Sequence, residues 1–400
     1  SVLYNDWPLL IIAGAGAGKT KTLTSKIAYI IDEHLATPYN ILAITFTNKA
    51  AKEMRDRLYS LIGDEARKLQ VSTFHSFGLK LLRENYELLG YDRNFVIMDS
   101  DDSLTVVKKI IKDLDYDPKV YNPKAIRNKI SSCKNELISA KAYERYAVSD
   151  YEQVIQKVYE KYEKKLQQNN SVDFDDLLIL PIKLFREHQD VLEKYQNLYQ
   201  YVLIDEYQDT NEAQYTLVKM ISSKYKNVCV VGDNDQSIYS FRGANYQNIL
   251  NFEKDYKSAE TIMLEENYRS TKNILKVANE VIVNNNKRKD KNLWTENEVG
   301  NKVKYYSDTI ATIPDATMNA VKAIKDVDTL IFGGLDRGID YTDFIEFLKN
   351  SSINNLICMP STGTKIGHIL EEVCDKNIKY ADTLEEANEL AILYTKKGMS

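Results

Sequence analysis

The sequence predicts an α/β protein: a parallel sheet bearing a phosphate-binding loop, interrupted by a helical insertion and followed by a second, smaller α/β domain. Three observations lead there. Short apolar runs recur between residues 9 and 46 and again between 202 and 264, each followed by a loop and a helical pattern, which is the order of a parallel sheet covered on both faces. From about 90 to 190 those runs give way to charged segments whose apolar residues lie three and four apart. One loop, AGAGAGKT over 13–20, has the form that opens a helix onto a phosphate.

In chain order, LLII at 9–12 leads into the glycine-rich loop, and ILAITF at 41–46 into an amphipathic helix, NKAAKEMRDRL. SLTVVKKIIKDL and YEQVIQKVYEKYEKKL are helices of the insertion. VLI at 202–204 ends in acidic residues, and VCVVGD at 228–233 and IML at 262–264 complete the first set of strands. A fresh pattern starts after 314. DTLIFGG (328–334) and NLICMP (355–360) read as buried strands, with NAVKAI, DFIEFL and IGHILEEV as the helices between and after them.

Four hundred residues, 44% hydrophobic and 28% charged, suit two or three soluble domains. No run of 18 apolar residues predicts a membrane span, and SVLYNDWPLL lacks the basic-then-apolar order of a signal peptide. Four cysteines without CxxC spacing (Cys133, Cys229, Cys358, Cys374) suggest buried thiols in a reduced cytoplasmic protein. A net charge of −5 leaves nucleic-acid binding open, since binding needs a local basic stripe rather than a basic total.

The loop carries the first chemistry. Gly14, Gly16 and Gly18, with Ala15 and Ala17 between them, let backbone N–H groups approach phosphate oxygens. Lys19 is placed to reach the β and γ phosphates of a nucleoside triphosphate, and the Thr20 hydroxyl to ligate Mg²⁺. In VLIDEYQDTN (202–211) a strand delivers Asp205 to hold Mg²⁺, directly or through water, and Glu206 to orient and deprotonate the attacking water. An acidic pair after a strand is weak evidence by itself; with the loop it points to nucleoside triphosphate hydrolysis.

Seven stretches then occur in one order: AGAGAGKT, ITFTNKAAKEM (44–54), STFHSFGLKLLR (72–83), VDFDDLL (172–178), DEYQDTN (205–211), VGDNDQSIYSFRGA (231–244) and LEENYRST (264–271). Through them residues 1 to about 303 resemble the UvrD/PcrA/Rep family of superfamily 1 DNA helicases. The resemblance implies a RecA-like domain over 1–88 and 191–265, an insertion over 89–190, and over 266–303 the start of a second RecA-like domain. It implies that Gln236 senses the γ-phosphate, that Tyr268 stacks on adenine, that Arg269 is an arginine finger, and that Arg242 links the nucleotide and DNA sites. Thr45, Phe46, Asn48, Thr73, His75, Tyr239 and Phe241 would line a path for single-stranded or partly duplex DNA. Outside that context His75 reads better as a structural histidine, and Tyr239 and Phe241 as core.

The family's glutamine motif, which reads adenine, would lie ahead of the first residue. The second domain's later motifs are not found, so processive unwinding by this chain alone is not expected. YSDTIATIPDATMNAV (306–321), TLIFGGLDRGIDY (329–341), LICMPSTGTKIG (356–367) and YADTLEEA (380–387) instead resemble the C-terminal domain of Mur ligases, most closely the MurD type. Ser307, Asp308, Thr309, Ala311, Thr312 and Pro314 fill that family's opening motif, and Arg337 the basic position after the GG turn. The stretch VKYYSDTIATIP (303–314) then reads as a join, with a Rossmann-like domain over 304–400. Without a second GKT loop, ligase activity is not expected. The leading expectation is an ATP-dependent DNA helicase motor; the alternatives are a module that binds nucleotide or single-stranded DNA without turnover, and an inactive ligase fragment.

Overall fold

In the N-terminal part of the chain, strands β1 (Leu9–Ala13), β2 (Ile41–Thr45) and β3 (Gln70–Thr73) alternate with helices α1 (Lys19–Asp32), α2 (Asn48–Ile62) and α3 (Phe74–Asn85). The computed structural model describes residues 2–236, 247–282, 292–300, 314–323, 327–334 and 338–395. They fall into two units, 1–301 and 302–400.

After α3 the first unit continues with β4 (Val96–Ile97), α4 (Ser100–Asp113), α5 (Pro123–Asn135), α6 (Ala140–Tyr143), α7 (Asp150–Gln168) and β5 (Ser171–Val172). Helices α8 (Asp176–Glu187) and α9 (Gln189–Leu198) lead back to the sheet. There β6 (Tyr201–Ile204), α10 (Glu212–Ser222), β7 (Asn227–Gly232), α11 (Gln247–Asp255), β8 (Glu260–Leu264) and α12 (Lys272–Ile282) follow. Six strands form one sheet in the order β3-β2-β6-β7-β1-β8, every pairing parallel.

Both faces of the sheet are buried, which explains why its strands read as unbroken apolar runs. Leu9, Ile11 and Ala13 of β1 pack with Leu23, Ile27 and Ile30 of α1 and Met54 and Leu58 of α2. Leu10 and Ile12 point the other way, into a core with Phe77 and Leu81 of α3, Phe185 of α8 and Leu217 of α10. The period of two along β1 thus sorts one strand into two cores. Strand β3 was not legible as an apolar run because QVST sits at the sheet edge and ends in Ser72 and Thr73.

The insertion has a separate core, built from residues between Val107 and Leu166 that include Ile126 and Ile130 of α5 and Tyr159 and Tyr162 of α7. Its helices start where the sequence supplies reciprocal caps: Asp99 with Asp102 at α4, and Ser149 with Glu152 at α7. Helix α8, inside the segment assigned to the insertion, puts Leu177, Leu178, Ile182 and Phe185 into the sheet's core instead. The two-residue strands β4 and β5, which no apolar run announced, pair in parallel at the insertion's base.

The second unit holds α13 (Pro314–Ala323), β9 (Thr329–Gly334), α14 (Thr342–Asn350), β10 (Asn355–Ser361), α15 (Thr362–Val373), β11 (Asn377–Tyr380) and α16 (Leu384–Tyr394). Its three strands form a separate parallel sheet, β11-β10-β9, over a core of Phe344, Leu348, Leu356, Ile366 and Leu370. Strands β9 and β10 are the two the sequence predicted. The join at 303–313 and Arg337 lie outside the described residues.

Candidate nucleotide and nucleic-acid site

Every described residue expected from the sequence at the nucleotide or DNA site, save Thr45 and Thr73 at the last positions of their strands, lies just beyond the C-terminal end of a strand of the six-stranded sheet. That is where ligands sit in open parallel sheets. Gly14–Thr20 follow β1, Phe46 and Asn48 follow β2, and His75 follows β3. Asp205 and Glu206 follow β6, Gln236 follows β7, and Tyr268 and Arg269 follow β8.

The loop after β1 turns on Gly16 (φ +70°) and Gly18 (φ +80°), both left-handed positions that favour glycine. Gly18 is the N-cap of α1, with no side-chain cap and no acidic residue in the first turn, so the first N–H groups of a 14-residue helix face the loop. Ala17 N–H donates to the Gly14 carbonyl (3.2 Å), which closes the loop on itself.

Around the loop the polar side chains converge. Lys19 Nζ lies 2.8 Å from Glu206 Oε2 and 3.3 Å from Gln236 Oε1. Thr20 Oγ1 donates to Asp205 Oδ2 at 2.8 Å, the pairing expected of two ligands that would share one cation. Gln208 Nε2 donates to Glu206 Oε2 (2.8 Å) while its Oε1 accepts the Asp233 N–H (3.0 Å), and Gln236 Nε2 donates to Asp233 Oδ2 (2.6 Å). Burial, with the Glu206 charge beside it, pushes the Asp205 carboxyl up to about 6; burial does the same for Asp209. Glu206 itself sits at φ +52°, a left-handed conformation that a non-glycine residue adopts at a cost of about 1–3 kcal/mol. An uncapped helix N-terminus, a lysine and a hydroxyl–carboxylate pair form a donor set that fits a nucleotide with Mg²⁺.

The segment after β8 docks on the loop through a residue that motif reading gave no role. Asn267, 2% exposed, donates from Nδ2 to the Ala15 carbonyl (2.6 Å), and its Oδ1 accepts the N–H groups of Arg269 (2.8 Å) and Ser270 (2.7 Å). Tyr268 N–H donates to the Gly16 carbonyl at 3.0 Å. The approach is so close that a Cβ on Gly16 would stand 2.6 Å from Asn267 Nδ2. Tyr268, held this way, is 67% exposed and donates its hydroxyl to Glu266 Oε2 (2.7 Å).

Along the expected DNA path the residues divide. Thr45 and Thr73 face each other in register across β2 and β3, but Thr45 is fully buried and Thr73 nearly so. Neither offers a surface here, because Thr73 caps α3 by accepting the Ser76 N–H (3.2 Å) and Thr45 ends a strand covered on both sides. Phe46 and His75 are half-buried and Asn48 is exposed at the start of α2. The structure adds Phe174, 56% exposed, whose ring centroid lies 5.6 Å from that of His75. Burial holds the His75 ring below the usual histidine range, hence neutral near pH 7. Tyr239, Phe241 and Arg242 lie outside the described residues.

Comparison with known proteins follows the same geography. The UvrD/REP helicase N-terminal domain family matches residues 1–257, and the UvrD-like helicase C-terminal domain family matches 262–356. The chain is 53% identical over 306 residues to the ATP-dependent DNA helicase PcrA of Bacillus subtilis (strain 168), an alignment covering 76% of this chain and 41% of that protein. It is 52% identical, again over 306 residues and 76% of this chain, to the proteins of the same name from Staphylococcus aureus (strain NCTC 8325 / PS 47) and Staphylococcus epidermidis (strain ATCC 35984), covering 42% of each. The chain spans about two-fifths of the length of these curated relatives. Neither family match is to a ligase, and the second continues past 303, where the sequence placed the end of the helicase-like part.

Proposed function

The chain belongs to the UvrD/REP helicase family, and from that premise we propose that its first unit is the part of a DNA helicase motor that hydrolyses ATP in response to single-stranded DNA. The observation that carries this is the meeting of Lys19, Thr20, Asp205, Glu206 and Gln236 at the end of the sheet, the first two following β1 and the others following β6 and β7, 185 residues or more later.

The loop N–H groups and the α1 N-terminus bind phosphate oxygens. Lys19 leaves Glu206 for the β and γ phosphates, and that exchange opens a lone pair on Glu206 Oε2, still held by Gln208, to accept the proton of the attacking water. Gln236 holds the water or the γ-phosphate at the same point, through the amide now tied to Lys19 and Asp233. Mg²⁺, held by Thr20 and Asp205, would neutralise charge between the phosphates. Tyr268 offers its ring to adenine, and Arg269 supplies the guanidinium for the γ-phosphate. Phe46, Asn48, His75 and Phe174 form the described part of a base-stacking path. Tyr239 and Phe241 extend it, and Arg242 links it to the nucleotide.

Within this reading 1–88 and 191–265 form the RecA-like domain, 89–190 the insertion, and 266–303 the opening of a second RecA-like domain. The segment 304–400 is a small α/β domain like that of the Mur ligases, without ligase chemistry. Its own three-stranded parallel sheet supports a separate small α/β domain there; the likeness to ligases rests on the sequence stretches alone. The activity proposed is hydrolysis coupled to DNA binding, not processive unwinding by this segment alone.

Steady-state ATP hydrolysis with and without an oligothymidylate tests the proposal. Stimulation by the oligonucleotide, abolished in Lys19→Ala while DNA binding without nucleotide survives, is the expected result. ATP hydrolysis by Lys19→Ala at the parent rate would overturn the site.

A further inference from the structure

Asn135, the last residue of α5 in the helical insertion, touches a neighbour of each half of the proposed machinery: Asn211 beyond the acidic pair and Asp175 beside Phe174. Its Nδ2 donates to Asp175 Oδ1 (3.0 Å) and to the Ser131 carbonyl (2.9 Å), and its Oδ1 accepts from Asn211 Nδ2 (2.6 Å). Asn211 closes the acidic segment 205–211 and caps α10 through reciprocal bonds with Gln214 (2.8 and 3.1 Å). Asn211 lies six residues after Asp205 and five after Glu206 in that one segment.

On the other side, Asp175 follows the exposed Phe174. The residue before Phe174, Asp173, is tethered too: it accepts from Lys134 Nζ (2.8 Å), Tyr162 Oη (3.0 Å) and the Asp176 N–H (2.9 Å). Phe174 thus stands between two anchored carboxylates, and their anchors are consecutive residues of one helix, Lys134 and Asn135.

We propose that Asn135 is a positioning residue that couples the nucleotide site to the DNA path, by holding the acidic segment and the Phe174 segment in one register. A side-chain amide has one accepting and one donating end, so a single orientation of Asn135 satisfies both neighbours. The acidic segment and the Phe174 segment therefore shift together or break a half-buried hydrogen bond. This coupling rests on the proposed role of Phe174 in stacking bases.

The test is the affinity of the full chain for a fluorescent oligothymidylate, measured by anisotropy with and without a non-hydrolysable ATP analogue and Mg²⁺. The ratio of the two Kd values is the coupling, expected to be about fivefold or more in the parent. Asn135→Ala should bring it to about one while leaving the nucleotide-free Kd within about twofold. Asn135→Asp alone should also lose the coupling, because it sets a carboxylate against Asp175. The double variant Asn135→Asp, Asp175→Asn reverses donor and acceptor and should restore it, which a merely structural defect would not predict. That pair decides the matter if Asn135→Ala melts early.

A parent ratio of one, a parent ratio retained in Asn135→Ala, or no restoration in the double variant overturns the coupling. Failure of the parent to bind the oligonucleotide, or an unchanged Kd in Phe174→Ala, would instead sink the reading of the DNA path beneath it.

Discussion

Lys19 and Glu206 occupy each other's binding capacity, 2.8 Å apart, and that pair sets what each substitution should do. Glu206→Gln keeps a hydrogen-bonding group toward Lys19 and Gln208 but cannot take a proton. It should retain ATP binding and lose hydrolysis by about 10²- to 10⁴-fold; single-turnover hydrolysis alongside nucleotide titration separates the two, and a smaller loss would move the proton-accepting role elsewhere. Asn267 makes a different demand. Its three bonds fix Tyr268 and Arg269 against the loop, and Asn267→Ala leaves the Ala15 carbonyl and two N–H groups without a protein partner, at about 1–3 kcal/mol for each group left buried. The ATP concentration for half-maximal hydrolysis should rise about fivefold or more, and an unchanged value would show that the clamp does not place the adenine-side residues. The first pair was legible in sequence because the loop and the acidic segment each carry their chemistry in contiguous letters. Asn267 was not, since its partner lies 252 residues away and nothing local marks an asparagine as a clamp.

At the scale of elements, the base of the insertion is held by buried charge. Lys134, 2% exposed, serves both Asp173 (2.8 Å) and Asp176 (2.6 Å), so one positive group meets two carboxyls. Burial opposes ionisation of both, but Asp173, with Lys134 and two further hydrogen-bond donors around it, Tyr162 Oη and the Asp176 N–H, is held below the usual carboxylate range. Asp176 is pushed up to about 7, first by burial and then by Asp173. An acid whose folded value exceeds its unfolded one binds protons when folded that the unfolded chain has released, here between about pH 4 and 7. Its contribution to stability is therefore full below about pH 4 and is lost as pH rises through about 7; Asp173, shifted the other way, contributes a constant amount over that window. Asp176→Asn removes the slope. Relative to the parent it should gain stability by at least about 1 kcal/mol between about pH 5 and pH 8, read from urea midpoints, and parallel profiles would mean the pair shares its charge differently. The sequence announced this region only as helices. VDFDDLL showed three carboxylates, but not that α8 turns into the sheet's core while its first residues stay with the insertion, because helical periodicity reports a buried face and not which core it joins.

For the whole molecule the boundary between the units is where two readings of the chain part. The units divide at 301/302, and the resemblance to ligases starts at 306, yet the UvrD-like C-terminal domain family matches through 356. If residues 302–356 work as helicase, removing them weakens nucleotide binding. If they belong to a ligase-like domain with its own sheet, they are dispensable to it. Every described residue proposed to touch ATP, from Gly14 to Arg269, lies in the first unit, and the clamp that places Tyr268 and Arg269 ends at Ser270. That arrangement places the described nucleotide contacts in the first unit, whichever family 302–356 belongs to. A chain ending at residue 301 should therefore bind a fluorescent ATP analogue within about twofold of the 400-residue chain, and its thermal unfolding should still respond to nucleotide with Mg²⁺. A loss of about tenfold or more, restored by extending the chain to 356 but not by adding 357–400 alone, would assign 302–356 to the motor and move the join downstream.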